Sequence, residues 1–98
     1  MVLIACEVFA LSSCMDDYIP YVPVVVEWEG GDLLLKEDRG LLTEEHTRCM
    51  QVVLKRYGES YYMRDGTLFI PKRLHDDREL LWNYTSKAES LRSGTWHP

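Results

Sequence analysis

The chain has 98 residues, of which 46% are hydrophobic and 28% charged, and its formal net charge is −5. A chain of this length and composition is expected to form one globular domain rather than a disordered segment. The acidic balance argues against a dedicated nucleic-acid-binding protein, because affinity for phosphate comes mostly from lysine and arginine. No stretch of sequence reaches the ~20 apolar residues that a membrane-spanning helix needs.

The N-terminal region is apolar but too short and aperiodic for a confident helix, so we predict a buried strand over residues 2–10 and a loop over residues 11–20. Small residues before Cys14 have the form of a bacterial lipoprotein cleavage site. No basic residue precedes it, however, and Glu7 interrupts the apolar stretch. Three cysteines without a Cys-x-x-Cys pair favour free thiols in a reducing compartment. We therefore expect a cytoplasmic protein, with an extracytoplasmic lipoprotein as the alternative if Cys14 is a lipidation site.

A first β-hairpin is predicted over residues 24–37, with its turn at Gly30-Gly31. Residue alternation places a mainly apolar set on one face: Val24, Val26, Trp28, Leu33 and Leu35. The mostly polar face holds Val25, Glu27, Glu29, Asp32, Leu34 and Lys36. This pattern is typical of an antiparallel sheet with one covered side.

The first helix is predicted to follow Thr43, which is suited to cap its N-terminus, and to end at Gly58. Its apolar stripe consists of Met50, Val53, Leu54 and Tyr57, with His46 and Cys49 in line. A second helix is expected after a capping-box pattern at residues 76–79, with the stripe Leu80, Leu81, Tyr84, Ala88 and Leu91. Residues 92–98 are predicted to be a loose tail.

A second hairpin, over residues 60–71, is indicated by Asp65-Gly66, which favours a two-residue turn. This turn sets Arg64 opposite Thr67, Met63 opposite Leu68, Tyr62 opposite Phe69 and Tyr61 opposite Ile70. Tyr61, Met63, Leu68 and Ile70 then form a core face, and Tyr62, Arg64, Thr67 and Phe69 form an outer face. The fold class is therefore α+β, a single domain in the order β-ββ-α-ββ-α, with two helices on one face of a small antiparallel sheet.

The outer face of the second hairpin is the predicted binding site, with Tyr62, Arg64, Phe69, Lys72 and Arg73 as its residues. Aromatic and arginine side chains are over-represented at protein hot spots, so we expect a non-enzymatic interaction module: an inhibitor, adaptor or regulatory subunit. Self-association through exposed strand edges is the simplest version. The alternative is a single-stranded nucleic-acid-binding module that uses the same face. A third possibility is that the N-terminal strand or Trp96 covers this face.

An enzyme is a less favoured hypothesis. His46 and Cys49 lie three residues apart on the first helix, where an imidazole and a thiol could share one side, but core packing explains both better. Residues His75, Asp76, Asp77 and Glu79 include imidazole and carboxylate groups that suit a metal, yet the acidic residues are already explained as a helix start. We expect no catalytic residues, metal or cofactor.

From Asp32 onward, the predicted order of strand, helix, strand, strand and helix resembles that of the small ring-building modules of secretion-system lipoproteins and flagellar rings. Element order and the residues before Cys14 carry this resemblance. It implies a secreted lipoprotein or a ring-building function as a further alternative.

Overall fold

The computed structural model describes residues 17–97. Its elements in chain order are β1 (Tyr18–Pro20), β2 (Val24–Glu29), β3 (Asp32–Glu37), a 3-10 turn (Arg39–Leu41), α1 (Glu44–Arg56), β4 (Tyr62–Arg64), β5 (Thr67–Pro71), α2 (Lys72–Asp76) and α3 (Arg78–Ser93). The predicted α+β class and order are confirmed, with α2 as an additional helix. The predicted strand over residues 2–10, and Cys14, lie outside the described residues. Within residues 17–97, no helix has the length and apolar character needed to cross a membrane.

Both hairpins turn where the sequence predicts. Gly30 and Gly31 have φ angles of 60° and 88°, and Asp65 and Gly66 have φ angles of 51° and 80°. Two successive positive φ values define the turn whose twist matches the flanking strands. The turns fix the pairing, with Trp28 opposite Leu33 in one hairpin and Tyr62 opposite Phe69 in the other. The predicted registers are thus confirmed for the first hairpin and for Tyr62–Arg64 of the second, where the paired strand begins at Tyr62 and does not include Tyr61. The two hairpins belong to separate sheets.

β1 extends the second hairpin into a three-stranded antiparallel sheet with the order β1-β5-β4. Pro20 pairs with Phe69, and Ile19 pairs with Ile70. The chain before and after β1 continues this pairing, because Tyr21 N donates to Leu68 O over 2.8 Å. A strand therefore lies in a segment that the sequence analysis assigned to a loop. Pro20 obscured the extended conformation, because proline is depleted in strands.

α1 begins as predicted, since the Thr43 hydroxyl accepts a hydrogen bond from His46 N at 3.1 Å. α3 begins one residue later than the capping-box pattern suggests. Asp77, not Asp76, caps it by accepting from Leu80 N at 3.2 Å. The reason is that Asp76 ends the short helix α2, which starts directly after Pro71.

The core lies between the inward face of the three-stranded sheet, the base of the first hairpin and helices α1 and α3. Its fully buried members include Val24, Met50, Val53, Leu54, Ile70, Leu74, Leu81 and Ala88. Leu68 is also buried, and Tyr61 packs against the cluster from its margin. Met63 differs from the predicted core face because it is exposed. It lies on β4, an edge strand whose three residues are all exposed.

The exposed fraction of the apolar side chains increases along the first hairpin toward its turn. Val24 is fully buried and Leu35 packs against the core, but Trp28 is 75% exposed and Leu33 is 52% exposed. The expectation of one covered face is therefore wrong for the distal half of the hairpin. α3 packs against the hairpin near its base, where Val24 N donates to Thr85. Within residues 17–97, no second layer covers the residues next to the turn.

A chain of buried hydrogen bonds joins the segment between β1 and β2 to both long helices. The Tyr21 hydroxyl lies 2.7 Å from His46 Nε2 and 2.9 Å from Thr85 Oγ1. His46 Nδ1 lies 2.5 Å from a carboxylate oxygen of Glu89, and Val24 N donates to Thr85 Oγ1 over 3.3 Å. We call these five residues the buried network. Three of its members, Tyr21, His46 and Thr85, are each about 1% exposed, so they depend on one another for hydrogen bonds.

With a neutral His46 ring, one arrangement of protons satisfies every group in the buried network. The Glu89 carboxylate can only accept, because hydrogen bonds from Arg92 and His46 keep its pKa below the usual range. His46 Nδ1 therefore donates to Glu89, and Nε2 accepts from the Tyr21 hydroxyl. Burial raises the pKa of Tyr21, so its proton stays in place. The Thr85 hydroxyl donates to Tyr21 and accepts from Val24 N.

Thr85→Val preserves the shape of the side chain but leaves the Val24 amide without its acceptor and Tyr21 without a donor. We expect a loss of about 1–3 kcal/mol in the free energy of unfolding, the usual cost of unpaired buried polar groups. Urea unfolding followed by circular dichroism measures it. The control is Ser86→Ala, at the exposed neighbouring position. Equal midpoints for the two variants would contradict the network.

The lowered pKa of Glu89 predicts an acid dependence of stability. Because the folded-state pKa lies below the ordinary value of 4.5, the stabilisation is fully present above about pH 4.5. It is lost as pH falls through the folded-state value. Glu89→Gln removes this titration, so the difference in urea midpoint from the wild type should be largest at neutral pH and shrink in acid. A difference that stays constant below pH 4.5 would disprove the assignment.

Candidate functional site

Three aromatic side chains cluster on the outer face of the β1-β5-β4 sheet. Tyr62 and Phe69 stack across their strands, with ring centroids 4.9 Å apart and planes 8° from parallel. The Tyr18 ring lies 5.1 Å from that of Tyr62, tilted by 57°. We call Tyr18, Tyr62 and Phe69 the aromatic cluster. Tyr62 and Phe69 were predicted as site residues from the sequence. Tyr18 comes from β1, which was predicted to be part of a loop.

The aromatic cluster is partly open to solvent. Tyr62 is 40% exposed, and Phe69 is half-buried between its neighbours on β1 and β4. Trp96, one of the groups considered as a cover, instead packs against the core after α3 and donates its backbone N–H to Ser90 O over 3.2 Å. The other group considered as a cover, the predicted strand over residues 2–10, lies outside the described residues. β1 itself joins the edge of the sheet rather than lying over its face. Within residues 17–97, the aromatic cluster is therefore a partly exposed apolar surface that a partner can contact.

The three basic residues of the predicted site have different surroundings. Arg64 is exposed beside Tyr62 and has no ion pair or hydrogen bond with any residue from 17 to 97. Lys72 lies in α2 and contacts Asp76 at 2.5 Å, and this contact lowers the pKa of Asp76 and raises that of Lys72. The structure therefore brings Arg64 to the aromatic cluster but places Lys72 on a helix after the strand.

Arg73 helps to anchor α2. Its Nη2 lies 2.9 Å from Glu59 Oε1, while the other oxygen of Glu59 accepts from the Tyr84 hydroxyl at 2.8 Å. Glu59 thus links α2 to α3. Burial and this carboxylate raise the pKa of Tyr84 to about 12, so its hydroxyl remains a donor at neutral pH.

A groove of about 510 Å³ runs beside the aromatic cluster. Phe69, Thr67 and Pro20 form one wall, and Glu37 and His75 belong to the other side. Its volume falls within the roughly 300–1,000 Å³ of ligand-binding clefts. Apolar and charged groups therefore meet in a concave surface directly next to the exposed aromatic rings.

His46 and Cys49, the two residues of the enzyme hypothesis, have different surroundings. Both ring nitrogens of His46 are engaged within the buried network, one by Tyr21 and the other by Glu89. Cys49 is a free, half-buried thiol, and burial is the main cause of its raised pKa. A raised pKa leaves less of the thiolate that acts as a nucleophile. The geometry thus lacks the activation that a thiol–imidazole mechanism requires.

Potential metal ligands remain dispersed in the part of the chain that the structure describes. No three histidine, cysteine, aspartate or glutamate side chains within residues 17–97 converge on a common point. His75 lies 3.1 Å from Asp76 and 3.9 Å from Glu37, and its contacts are those of surface ion pairs.

Of the polar side chains in the buried network, His46 alone was singled out from the sequence. Tyr21, Thr85 and Glu89 lie far apart in the chain, and their contacts depend on how the helices pack. One local signal was available, because Thr85 lies on the same helical face as Leu81 and Ala88. A hydroxyl within an apolar stripe requires a buried partner.

Comparisons with known proteins identify no relative. No protein-family model matches the sequence. No curated protein matches it. No solved structure matches it either. Functional inference therefore rests on the site itself.

Proposed function

We propose that this chain is a non-enzymatic protein-interaction module that binds a partner through the aromatic cluster and Arg64. It would act as an inhibitor, adaptor or regulatory subunit in a reducing compartment. The observation that carries the proposal is the stacked Tyr62–Phe69 pair, which Tyr18 extends and which residues 17–97 leave partly open to solvent. Tyrosine and arginine dominate hot spots because each combines a large contact area with directional hydrogen bonds.

The groove next to Phe69 supports this proposal. Hot-spot side chains usually insert into pockets on the opposing surface, where they are shielded from water. An apolar side chain of the partner can enter between Phe69 and the residues around His75, while Arg64 pairs with a carboxylate at the rim. Arg64 is suited to this role because no described residue already neutralises it.

The charges and ring contacts favour a protein partner over single-stranded nucleic acid. Lys72 already faces Asp76, and Arg73 already faces Glu59, so neither is a free counterion for phosphate. Tyr62 and Phe69 also use one ring face on each other. A base-stacking platform needs open ring faces along a basic path. Nucleic acid binding is therefore the second candidate.

The ring-building alternative receives less support. β3 pairs with β2 and belongs to a different sheet from β4 and β5. The strand, helix, strand, strand, helix order from Asp32 onward therefore does not combine into one three-stranded sheet. Cys14, on which the lipoprotein alternative depends, lies outside the described residues.

Tyr62→Ala/Arg64→Ala tests the proposal without disturbing the core, since both side chains are exposed. We expect the variant to lose more than about tenfold of its partner binding, as truncation of hot-spot residues typically does. The measurement is quantitative affinity capture from a lysate of the source organism, with and without nuclease, after circular dichroism has confirmed folding.

The matched control is Val52→Ala/Arg56→Ala, which removes an exposed apolar side chain and an exposed arginine from α1. A partner retained by this control and lost only by the hairpin variant supports the proposal. If nuclease abolishes capture, the nucleic-acid alternative replaces it. Equal capture by both variants would refute a role for the aromatic cluster.

A further inference from the structure

The first hairpin carries a second exposed surface, on a different sheet from the aromatic cluster. Within residues 17–97, β2 and β3 form a sheet of only two strands, so the outer edge of β3 has no strand beside it. Leu33 is 52% exposed and Leu34 is 39% exposed on this strand. An open apolar edge of this kind is a template for pairing with another chain, which natural proteins otherwise avoid.

The turn determines which backbone groups of β3 point outward. Glu29 and Asp32 flank a two-residue turn and therefore form a hydrogen-bonded pair. Alternation then directs the N–H and C=O groups of Leu33 and Leu35 away from β2. On the opposite edge, Val24 N donates to Thr85 outside the sheet, as the same alternation requires. Leu33 and Leu35 thus present two donors and two acceptors to an incoming strand.

The sequence of β3 is complementary to itself when reversed. It reads Asp-Leu-Leu-Leu-Lys from residue 32 to residue 36. In an antiparallel pair of two copies centred on Leu34, Asp32 of each copy lies opposite Lys36 of the other. Leu33 then lies opposite Leu35, so the outward backbone groups meet in a hydrogen-bonded position. Shifting the register by two residues in either direction removes both opposite-charge pairs.

The side chains of β3 support this pairing. Asp32 has no ion pair with any residue from 17 to 97. Lys36 forms ion pairs with Glu27 and Glu29, but its side chain is 40% exposed and its ammonium group has a third N–H for Asp32 of the other copy. Leu34 lies on the same face as these charges and is 39% exposed. Burial within residues 17–97 therefore does not account for an apolar side chain at this position. At the centre of the pair it would pack against its own copy, in the closely spaced type of position.

We propose that the β3 edge binds a second copy of this chain, forming a two-fold symmetric dimer with a continuous four-stranded antiparallel sheet. The charge complementarity of Asp32 and Lys36 across the two-fold axis favours a second copy as the partner and sets the antiparallel direction of its strand. The interface is short, so association is weak and depends on concentration. It does not rest on the proposed function, because the aromatic cluster lies on the other sheet.

Charge exchange at positions 32 and 36 tests the dimer. In a dimer of Asp32→Lys, each introduced lysine lies opposite Lys36 of the other copy. In a dimer of Lys36→Asp, each introduced aspartate lies opposite Asp32 of the other copy. We expect each single variant to weaken dimerisation by about tenfold or more. An equimolar mixture of the two should form a heterodimer, and Asp32→Lys/Lys36→Asp should restore the homodimer. Sedimentation equilibrium of the full chain, from micromolar to millimolar concentration, measures these states.

The controls separate this inference from the proposed function. Tyr62→Ala/Arg64→Ala should dimerise as the wild type does, whatever its partner binding. Circular dichroism confirms that each variant is folded, and heterodimer formation itself requires folded hairpins. A wild type that stays monomeric at millimolar concentration would overturn the inference. Unchanged dimerisation of Asp32→Lys, or a mixture that does not associate, would also overturn it.

Discussion

The hydrogen bonds of the Tyr21 hydroxyl hold the parts of this fold together. Tyr21 lies between the two sheets in the chain, and its hydroxyl reaches His46 on α1 and Thr85 on α3. Its ring also stacks on that of His46, with centroids 5.8 Å apart. A chain of this size buries too little apolar surface to tolerate many unpaired groups inside. The buried network therefore fixes the position of both sheets relative to the helices.

This constraint accounts for the surfaces that remain open. Because Tyr21 is tied to the helices and Tyr21 N to β5, β1 must run along the edge of the second hairpin. The face bearing Tyr62 and Phe69 then points away from the core. On the other side, Val24 is tied to Thr85, so the first hairpin is anchored at its base and extends past α3. Among residues 17–97, anchoring of the segment from Tyr21 to Val24 thus leaves two open surfaces, the aromatic cluster and the outer edge of β3.

Local sequence signals predicted the local structure. Asp65-Gly66 and Gly30-Gly31 fixed both registers, because positive φ at two successive residues specifies one turn geometry. Thr43 marks the start of α1 because its hydroxyl accepts a hydrogen bond from His46 N, and Gly58, with a φ of 72°, follows its C-terminal end. The stacked Tyr62–Phe69 pair followed from the register alone. α2 was missed because five residues after a proline carry too short a pattern for periodicity to detect.

The exposure of the first hairpin and the position of Tyr18 depend on tertiary packing, which local sequence patterns do not reveal. Trp28 and Leu33 have the alternation of a buried face, yet whether a second layer covers them depends on where α3 ends relative to the hairpin. The contribution of Tyr18 to the site depends on a strand pairing across some fifty residues of chain. Such contacts have no signature within a short window. Arg64, in contrast, was placed correctly because it adjoins the turn.

Nuclear magnetic resonance of the His46 side chain tests the buried network most directly. Selective ¹⁵N labelling of histidine identifies which ring nitrogen carries the proton. The network requires protonation at Nδ1 at neutral pH, with that proton and the Tyr21 hydroxyl proton protected from exchange with water. A His46 ring protonated mainly at Nε2, or without slowly exchanging protons, would contradict the account of how this fold holds its surfaces in place.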